Sequence, residues 1–369
     1  MKIGVLTSSR ADYGIYRPLL IHLQRDPEIR LEIIAFGSHL AERFGKTVSE
    51  IRSDNYAEIH EVNHRFDGDT PEDVSHNYAS CVSSFASFWA LNNDFDFVFA
   101  LGDRFEMSAA VNALIPFSKK LVHFYAGDTT LGALDNIYRH QITLASQVQF
   151  VSTEAYAKRV EELLGTREGC KVIGNLSLLN LENIELLSID TFQEKWGIDL
   201  GKPTILMTVH PETTDISQNS DHVVQLREVI ASLTGDFQFL ISPPNADASG
   251  LMYRQMAEEM QTRFPDRVFV VEHLGTQSYF TCMNYCSLMV GNTSSGILEA
   301  ASFGIFVLNL GNRQEGRISS ENVIHVSFDK QEIERKVYQY AGKKFEGQNI
   351  YEPLNALQQV KALLQKEIK

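Results

Sequence analysis

Two aspartates seven residues apart are the densest chemistry in this 369-residue chain. The stretch His123-Phe-Tyr-Ala-Gly-Asp-Thr-Thr-Leu-Gly-Ala-Leu-Asp-Asn-Ile-Tyr-Arg-His140 holds Asp128 and Asp135, with Gly127 and Gly132 between or beside them and Arg139 and His140 following. Two carboxylates in one site can have their pKa values pushed apart, so that one acts as base and the other as acid. The same spacing also suits a loop with a helix cap at Asp135 bonded to Arg139, one turn on. A third carboxylate, Asp103, lies in Leu101-Gly-Asp-Arg-Phe-Glu106 at the tip of an apolar run. It reads as a reacting group or as a cap, and Glu106, three residues on, allows a capping box.

Cations and small polar residues recur at similar places. Arg10 follows Ser8-Ser9 and would project toward bound phosphate, or sit in solvent beside a serine cap. His210, in Thr208-Val-His-Pro-Glu212, follows another apolar run. Gly291-Asn-Thr-Ser-Ser-Gly296 is a small-residue turn whose Asn292, Ser294, Ser295 and Gly296 would surround an anion with N–H and O–H donors. Glu299 lies about one turn deeper and could accept from sugar hydroxyls. Arg313 and Arg317 follow and could reach phosphate. The bland alternative is an ordinary strand-turn-helix connection. Asn245 in Ser242-Pro-Pro-Asn-Ala-Asp247 and Gly275 in Glu272-His-Leu-Gly275 mark further loops that suit base or phosphate contacts, or turns.

These residues need a frame that brings loop tips together. Apolar runs alternate with helical periodicity along the chain. Strands are expected at Ile3–Thr7, Leu31–Phe36, Phe97–Leu101, Leu121–Tyr125, Val148–Val151 and Lys171–Ile173, with helices at Tyr13–Arg25, Val74–Leu91, Phe105–Leu114 and Asp135–Ser146. A second alternation opens at Thr204–Val209. It continues through helix His222–Leu233, strand Gln238–Ser242, helix Leu251–Phe264, strand Val268–Val271, a helix near Gln277–Tyr285, strands Tyr285–Val290 and Ile305–Leu310, and a terminal helix within Gly342–Lys369. Continuous apolar strands between helices predict parallel sheets covered on both faces. The expected organisation is an α/β chain of two Rossmann-like domains, residues 1–175 and 176–350, with a C-terminal helix in 351–369. Ligands of such sheets bind beyond the carboxyl ends of the strands, which predicts a cleft between the domains.

Composition narrows the function. A net charge of −14 argues against nucleic acid or an anionic membrane as the main partner. No apolar run approaches 18 residues, and the N-terminus reads as a strand, not a secretory leader, so a cytoplasmic protein is expected. The four cysteines, Cys81, Cys170, Cys282 and Cys286, form no CxxC pair and no zinc spacing, so buried free thiols and no metal are expected. Neither G-x-G-x-x-G nor a Walker loop is present, which argues against a dinucleotide enzyme or a P-loop ATPase.

Taken in order, the segments Ser9-Arg10-Ala-Asp-Tyr13, Gly37-Ser-His39, Gly102-Asp-Arg-Phe-Glu106, Gly127-Asp-x-Thr-x-Gly-Ala-x-Asp135, Arg139-His140, His210-Pro211, Pro244-Asn-Ala-Asp247, Gly291-Asn-x-Ser-Ser-Gly296, Glu299 and Arg313-Gln-x-Gly-Arg317 resemble the hydrolysing UDP-N-acetylglucosamine 2-epimerases, in the branch feeding sialic-acid-type nonulosonate synthesis. The resemblance implies a glycosyltransferase B-type fold, a UDP-sugar substrate, no cofactor and a homo-oligomer, dimer or tetramer. It implies C2 proton removal with expulsion of UDP to give a glycal, then addition of water to give the free 2-epimer. By position, Asp103, Asp128 and Asp135 would be the acid/base groups and His210 would assist departure of UDP. Arg10, Ser294, Ser295, Glu299 and Arg317 would hold the nucleotide. Three places depart from the family pattern. Tyr125-Ala126-Gly127 stands where His-Gly-Gly is common, Asn136 where a second acid follows Asp135, and Gly174-Asn-Leu-Ser-Leu where a Gly/Pro-rich loop is usual. A non-hydrolysing epimerase, a glycosyltransferase of the same fold and a non-catalytic nucleotide-sugar-binding protein are the alternatives.

Overall fold

The protein is seen in a computed structural model that describes residues 1–42, 46–68, 70–129, 135–212, 216–244, 250–353 and 355–368. It falls into two units. The first holds the described residues from Met1 to Glu182 and those after Glu352; the second runs Asn183–Glu352.

The first unit is built as β1 (Lys2–Thr7), α1 (Arg10–Gln24), β2 (Arg30–Ala35), α2 (Val48–Ser53), β3 (Glu58–Glu61), α3 (Pro71–Leu91), β4 (Phe97–Leu101), α4 (Phe105–Leu114), β5 (Lys120–Phe124), α5 (Asp135–Ala145), β6 (Val148–Val151), α6 (Glu154–Leu164) and β7 (Cys170–Val172), closed by a 3₁₀ segment at Leu176–Asn183. Its seven strands lie in the order β3-β2-β1-β4-β5-β6-β7, with every neighbouring pair parallel. Successive side chains of a strand point to opposite faces, and both faces here are apolar. Ile3, Val5, Leu31, Ile33, Phe97 and Phe99 pack with Tyr16, Leu19 and Leu20 of α1. Leu6, Ile34, Val98 and Ala100 pack with Phe85 and Trp89 of α3 and Met107 and Val111 of α4.

The second unit runs α7 (Ile189–Trp196), β8 (Thr204–Thr208), α8 (Asn219–Leu233), β9 (Gln238–Ile241), α9 (Gly250–Arg263), β10 (Val268–Val270), α10 (Gly275–Tyr285), β11 (Leu288–Gly291), α11 (Ser294–Leu298), β12 (Val307–Leu310), β13 (Val323–Val326) and α12 (Lys330–Tyr340). Its six strands take the order β10-β9-β8-β11-β12-β13, again all parallel. The expected strand at Tyr285–Val290 starts later, at Leu288. Tyr285 ends α10, and the Cys286 N–H caps that helix on the Cys282 carbonyl. The helix expected to open near Ser294 is only five residues long, and a 3₁₀ turn, Ala300–Phe303, follows it.

Each sheet reverses its order of strand addition once, between β1 and β4 in the first unit and between β8 and β11 in the second. Loops leaving the two strands at such a point diverge and leave a crevice at their carboxyl ends. Gly102–Arg104 follows β4 there, and Val209–His210 follows β8.

The last helix, α13 (Ala356–Ile368), packs Ala356, Val360 and Leu364 into the core of the first unit, beside residues of α1. Leu364 is fully buried. Leu364→Ala should therefore destabilise the first unit by about 2–5 kcal/mol. The urea midpoint of Trp89 emission, read in a Trp196→Phe background, checks this, because Trp89 lies in the first unit and Trp196 in the second. An unchanged midpoint would detach the helix from that core.

Candidate functional site

In the first unit the residues after β4, β5 and the start of α5 form one hydrogen-bonded assembly. Arg139, one turn into α5, has a buried guanidinium, 5% exposed. Its Nη2 donates to Asp103 Oδ2, and its Nη1 donates to the Tyr125 carbonyl at 2.7 Å. The alternative reading of the spacing, a cap at Asp135 bonded to Arg139, does not form: the partner of Arg139 is Asp103, thirty-six residues away. A helix-surface pair across one turn contributes only about 0.2–0.5 kcal/mol, whereas a buried guanidinium requires a carboxylate.

His123, inside β5, holds the residue before Asp103. Its ring is fully buried between Thr143 Oγ1, 3.0 Å from Nδ1, and the Gly102 carbonyl, which accepts from Nε2 at 2.8 Å. Burial pushes its pKa down to about 3; the Gly102 bond opposes this and the Arg139 charge adds to it. The imidazole is therefore neutral, a donor that fixes the backbone beside Asp103. Sequence reasoning quoted His123 only as the start of a motif. The signal was there: a lone polar residue in the apolar run Leu121-Val-His-Phe124.

Asp135 opens α5 with its side chain in contact with solvent. Partial loss of hydration, then the charge of Asp103, raise its pKa, against the pull of Arg139 and Arg104. Asp128 lies beyond β5 and accepts from Ser152 Oγ at 3.3 Å. His140 is exposed on α5. Glu106 is not half of a capping box: the N-cap of α4 is Arg104, with no side-chain cap bond. Instead Glu106 is wholly buried against Arg104 Nε at 2.5 Å, and burial raises its pKa while Arg104 opposes. Arg10 is the first residue of α1, with an exposed side chain 3.5 Å from Glu50. Ser9 caps that helix in a capping box with Asp12.

In the second unit Asn292 is the organiser. Its Oδ1 accepts the His210 N–H at 2.7 Å and its Nδ2 donates to the His210 carbonyl at 2.9 Å. Side chain thus joins the ends of β8 and β11 across the reversal point. The strands approach so closely that a Cβ at Gly291 would lie 1.9 Å from the Thr208 carbonyl oxygen. The Asn292 carbonyl accepts from Arg313 Nη1 at 3.2 Å and Gln314 Nε2 at 2.8 Å. Ser295 donates to Glu299. The cap of α11 is Thr293, not Ser294, which stays partly exposed at the first helical position. Gly296 serves packing, since a Cβ there would come 2.9 Å from Val307 Cγ1. Gly275 is the exposed first residue of α10. Tyr279, on the same helix, was missed by sequence reasoning. Burial raises its pKa, opposed first by Ser295.

Arg313 has its pKa lowered by desolvation and then by the neighbouring charge of Arg317. Among the described residues neither arginine has an acidic partner. Arg317 also lines a cavity of about 570 Å³ with Glu212, His222, Gln314 and His325. In the first unit a cavity of about 700 Å³ lies between α4 and α5, lined by Leu114, Lys119, Lys120 and Leu144, and none of the carboxylates borders it. Asn245 and the loop residues 130–134 lie outside the described residues. The one group of described side chains spaced like metal ligands is Glu32, Glu58 and His60. Its central carboxylate is already taken by Lys2 at 3.2 Å, Arg30 at 2.8 Å and His60 at 2.9 Å, which makes it an ion-pair network.

The raised pKa of Asp135 has a sign that can be checked. A carboxyl that ionises less readily when folded contributes its stability below the ordinary carboxylate range and loses it as pH rises through the folded value. Asp135→Asn should therefore melt higher than the unsubstituted protein at neutral pH, with the difference vanishing near about pH 3. The gain is small, because water still screens the group. Thermal scans at both pH values check this; a variant less stable at neutral pH would make Asp135 a structural cap.

Comparison with known proteins agrees with this frame. Residues 21–365 match the family described as UDP-N-acetylglucosamine 2-epimerase. The chain is 31% identical over 347 residues to the polysialic acid biosynthesis protein P7 of Escherichia coli, covering 93% of this chain and 87% of that one. It is 32% identical over 333 residues to the UDP-N,N'-diacetylbacillosamine 2-epimerase (hydrolyzing) of Legionella pneumophila, covering 88% and 85%. In structure it resembles the UDP-GlcNAc 2-epimerase of Neisseria meningitidis bound to UDP-GlcNAc, with a TM-score of 0.79 at 18% identity over 99% of this chain and 100% of that one. The Methanocaldococcus jannaschii UDP-GlcNAc 2-epimerase in complex with UDP-GlcNAc and UDP gives 0.74 at 16% identity, with coverage of 99% and 100%. These two likenesses establish the fold, two parallel-sheet units of glycosyltransferase B type. The extent of the sequence match establishes the family: the chain belongs to the UDP-N-acetylglucosamine 2-epimerases.

Proposed function

We propose that the protein is a hydrolysing nucleotide-sugar 2-epimerase, converting UDP-N-acetylglucosamine or a related UDP-2-acetamido sugar to the free 2-epimer and UDP. The observation that carries the reading is the Asp103–Arg139–Asp135 grouping. One carboxylate is held by a buried guanidinium; the other, nearby, takes up a proton more readily than usual. That is the asymmetry an acid/base pair needs. The hydrolysing branch is supported by the names of the relatives from Legionella pneumophila and, at 29% identity, Campylobacter jejuni.

In this reading a carboxylate of the first unit takes the C2 proton, the C1–O bond to UDP breaks with its electron pair leaving on the diphosphate, and a glycal remains. Water then adds: its oxygen bonds C1, and a proton is delivered to C2 from the opposite face. Asp103, Asp128 and Asp135 serve the proton transfers. His210, fixed through its backbone by Asn292, attends the departing diphosphate. Arg10, Arg313, Arg317, Ser294, Ser295 and Glu299 hold the nucleotide. A cytoplasmic location and a part in nonulosonate synthesis belong to the same reading.

Two measurements test it. Incubation with UDP-2-acetamido sugars in deuterated water, followed by NMR, should show UDP and a free 2-epimer with deuterium at C2. Epimerised UDP-sugar without UDP release would assign the non-hydrolysing reaction, and UDP binding without turnover a binding protein. In the same assay Asp103→Asn should lose about 10²–10⁴-fold in turnover, since amide cannot carry the proton, with UDP affinity retained.

The two arginines without an acidic partner among the described residues make a separate prediction. Arg317→Ala should weaken UDP about 10- to 150-fold, as expected for one charge-assisted hydrogen bond of about 1.5–3 kcal/mol. Calorimetric titration showing unchanged affinity would return Arg317 to the solvated surface.

A further inference from the structure

Two of the stretches in which the sequence departs from its family pattern, Tyr125-Ala126 and Gly174-Asn-Leu-Ser-Leu, touch each other inside the first unit. The Tyr125 hydroxyl donates to Asn175 Oδ1 and accepts the Leu176 N–H at 2.9 Å. Both partners are buried, Asn175 to 3% exposure and Leu176 completely. Asn175 Oδ1 also accepts the Ser177 N–H at 2.9 Å, so one tyrosine and one asparagine organise the start of the 3₁₀ segment that closes the unit. The other end of Tyr125 is the carbonyl that receives Arg139 Nη1 at 2.7 Å, on the guanidinium that holds Asp103. The residue also sits at φ 63°, in the left-handed region. A bulky aromatic stays there only when its surroundings over-determine it, and here two anchors do so.

We propose that Tyr125 is a positioning residue, whose main-chain carbonyl and side-chain hydroxyl lock the Arg139–Asp103 pair to the Asn175–Leu176 turn. The hydroxyl fixes the ring, the ring fixes the strained backbone, and the backbone carbonyl fixes the guanidinium. The proposal rests on Asp103 taking part in catalysis. Its anchor is a structural matter that can be read without activity.

Tyr125→Phe removes only the hydroxyl, and hydrogen exchange and kinetics are read on the same preparation. The Leu176 amide should exchange at least about tenfold faster, with β4 and β5 amides unchanged, because a buried N–H has lost its acceptor. Turnover should fall about tenfold or more while UDP affinity stays within about twofold, since the change acts on the proton-transfer groups and not on the nucleotide grip. Asn175→Ala, which leaves Tyr125 intact, should show the same split, and the double variant should be no worse than Tyr125→Phe, as members of one linkage are not additive. Faster Leu176 exchange with unchanged turnover would overturn the positioning role, and unchanged exchange would overturn the anchor itself. Should the unsubstituted enzyme turn over no nucleotide-sugar, the functional reading fails alone, and Leu176 exchange still decides the anchor.

Discussion

The first unit depends on the burial of one positive charge. A guanidinium taken out of water is tolerated only where a carboxylate and good acceptors meet it, and Arg139 has Asp103 and the Tyr125 carbonyl. Much else follows from that constraint. α5 must lie where its first full turn faces the ends of β4 and β5. His123, buried close by, is neutral, since burial first, and then the Arg139 charge, disfavours its cation. A neutral His123 with its proton on Nε2 can donate to Gly102, and so holds the residue preceding Asp103. The carboxylate is then fixed from its side chain by Arg139 and from its backbone by His123. Fixed donors and charges that need not reorganise are what a proton-transfer site requires.

The second unit handles the equivalent place in its sheet by the opposite means. At the reversal between β8 and β11 the organiser is a neutral amide, Asn292, satisfied by backbone on both sides. Charge is left over instead of cancelled: Arg313 is desolvated and faces Arg317, with no acidic partner among the described residues. Such a pair repels itself until an anion arrives. At these two places, then, the first unit carries its charge paired, Arg139 with Asp103, and the second carries Arg313 and Arg317 without an acidic partner among the described residues. In the proposed reading, that contrast suits proton transfer in the first unit and phosphate binding in the second.

What was legible in the sequence followed the density of its apolar signal. Phe97–Leu101 and Phe105–Leu114 are found at the expected residues, because a run buried on both faces has few other ways to fold. β3 escaped notice since Glu58-Ile-His-Glu61 is an edge strand with one apolar residue. α12 did too, because it buries only Ile333 and Val337 along eleven residues. Within the site, the loops were legible as strand ends, but the partners were not. Arg139 stands one turn from Asp135 in sequence and bonds Asp103, since tertiary burial outweighs a surface pair. The Tyr125–Asn175 link joins residues fifty apart and has no local signature at all.

The segment Gly102-Asp-Arg-Phe-Glu106 shows why pairing had to come from three dimensions. Read along the chain, Arg104 stands beside Asp103, and Glu106 stands at a capping distance. In the fold each carboxylate has its own arginine: Asp103 takes Arg139 from α5, and Glu106 takes Arg104 from its own loop. Had Arg104 paired with Asp103, Glu106 would be a wholly buried charge with no cation, and Arg139 a buried cation with no anion. Each of those states costs several kcal/mol (about 3–5 for a broken buried pair), so the two pairings are exclusive and reinforce one another. Even so, burial still raises the Glu106 pKa, and one of its oxygens has no hydrogen-bond partner among the described residues. The arrangement therefore leaves the strain on Glu106, which is shut away from solvent, while Asp103, paired with Arg139, stays partly open to it.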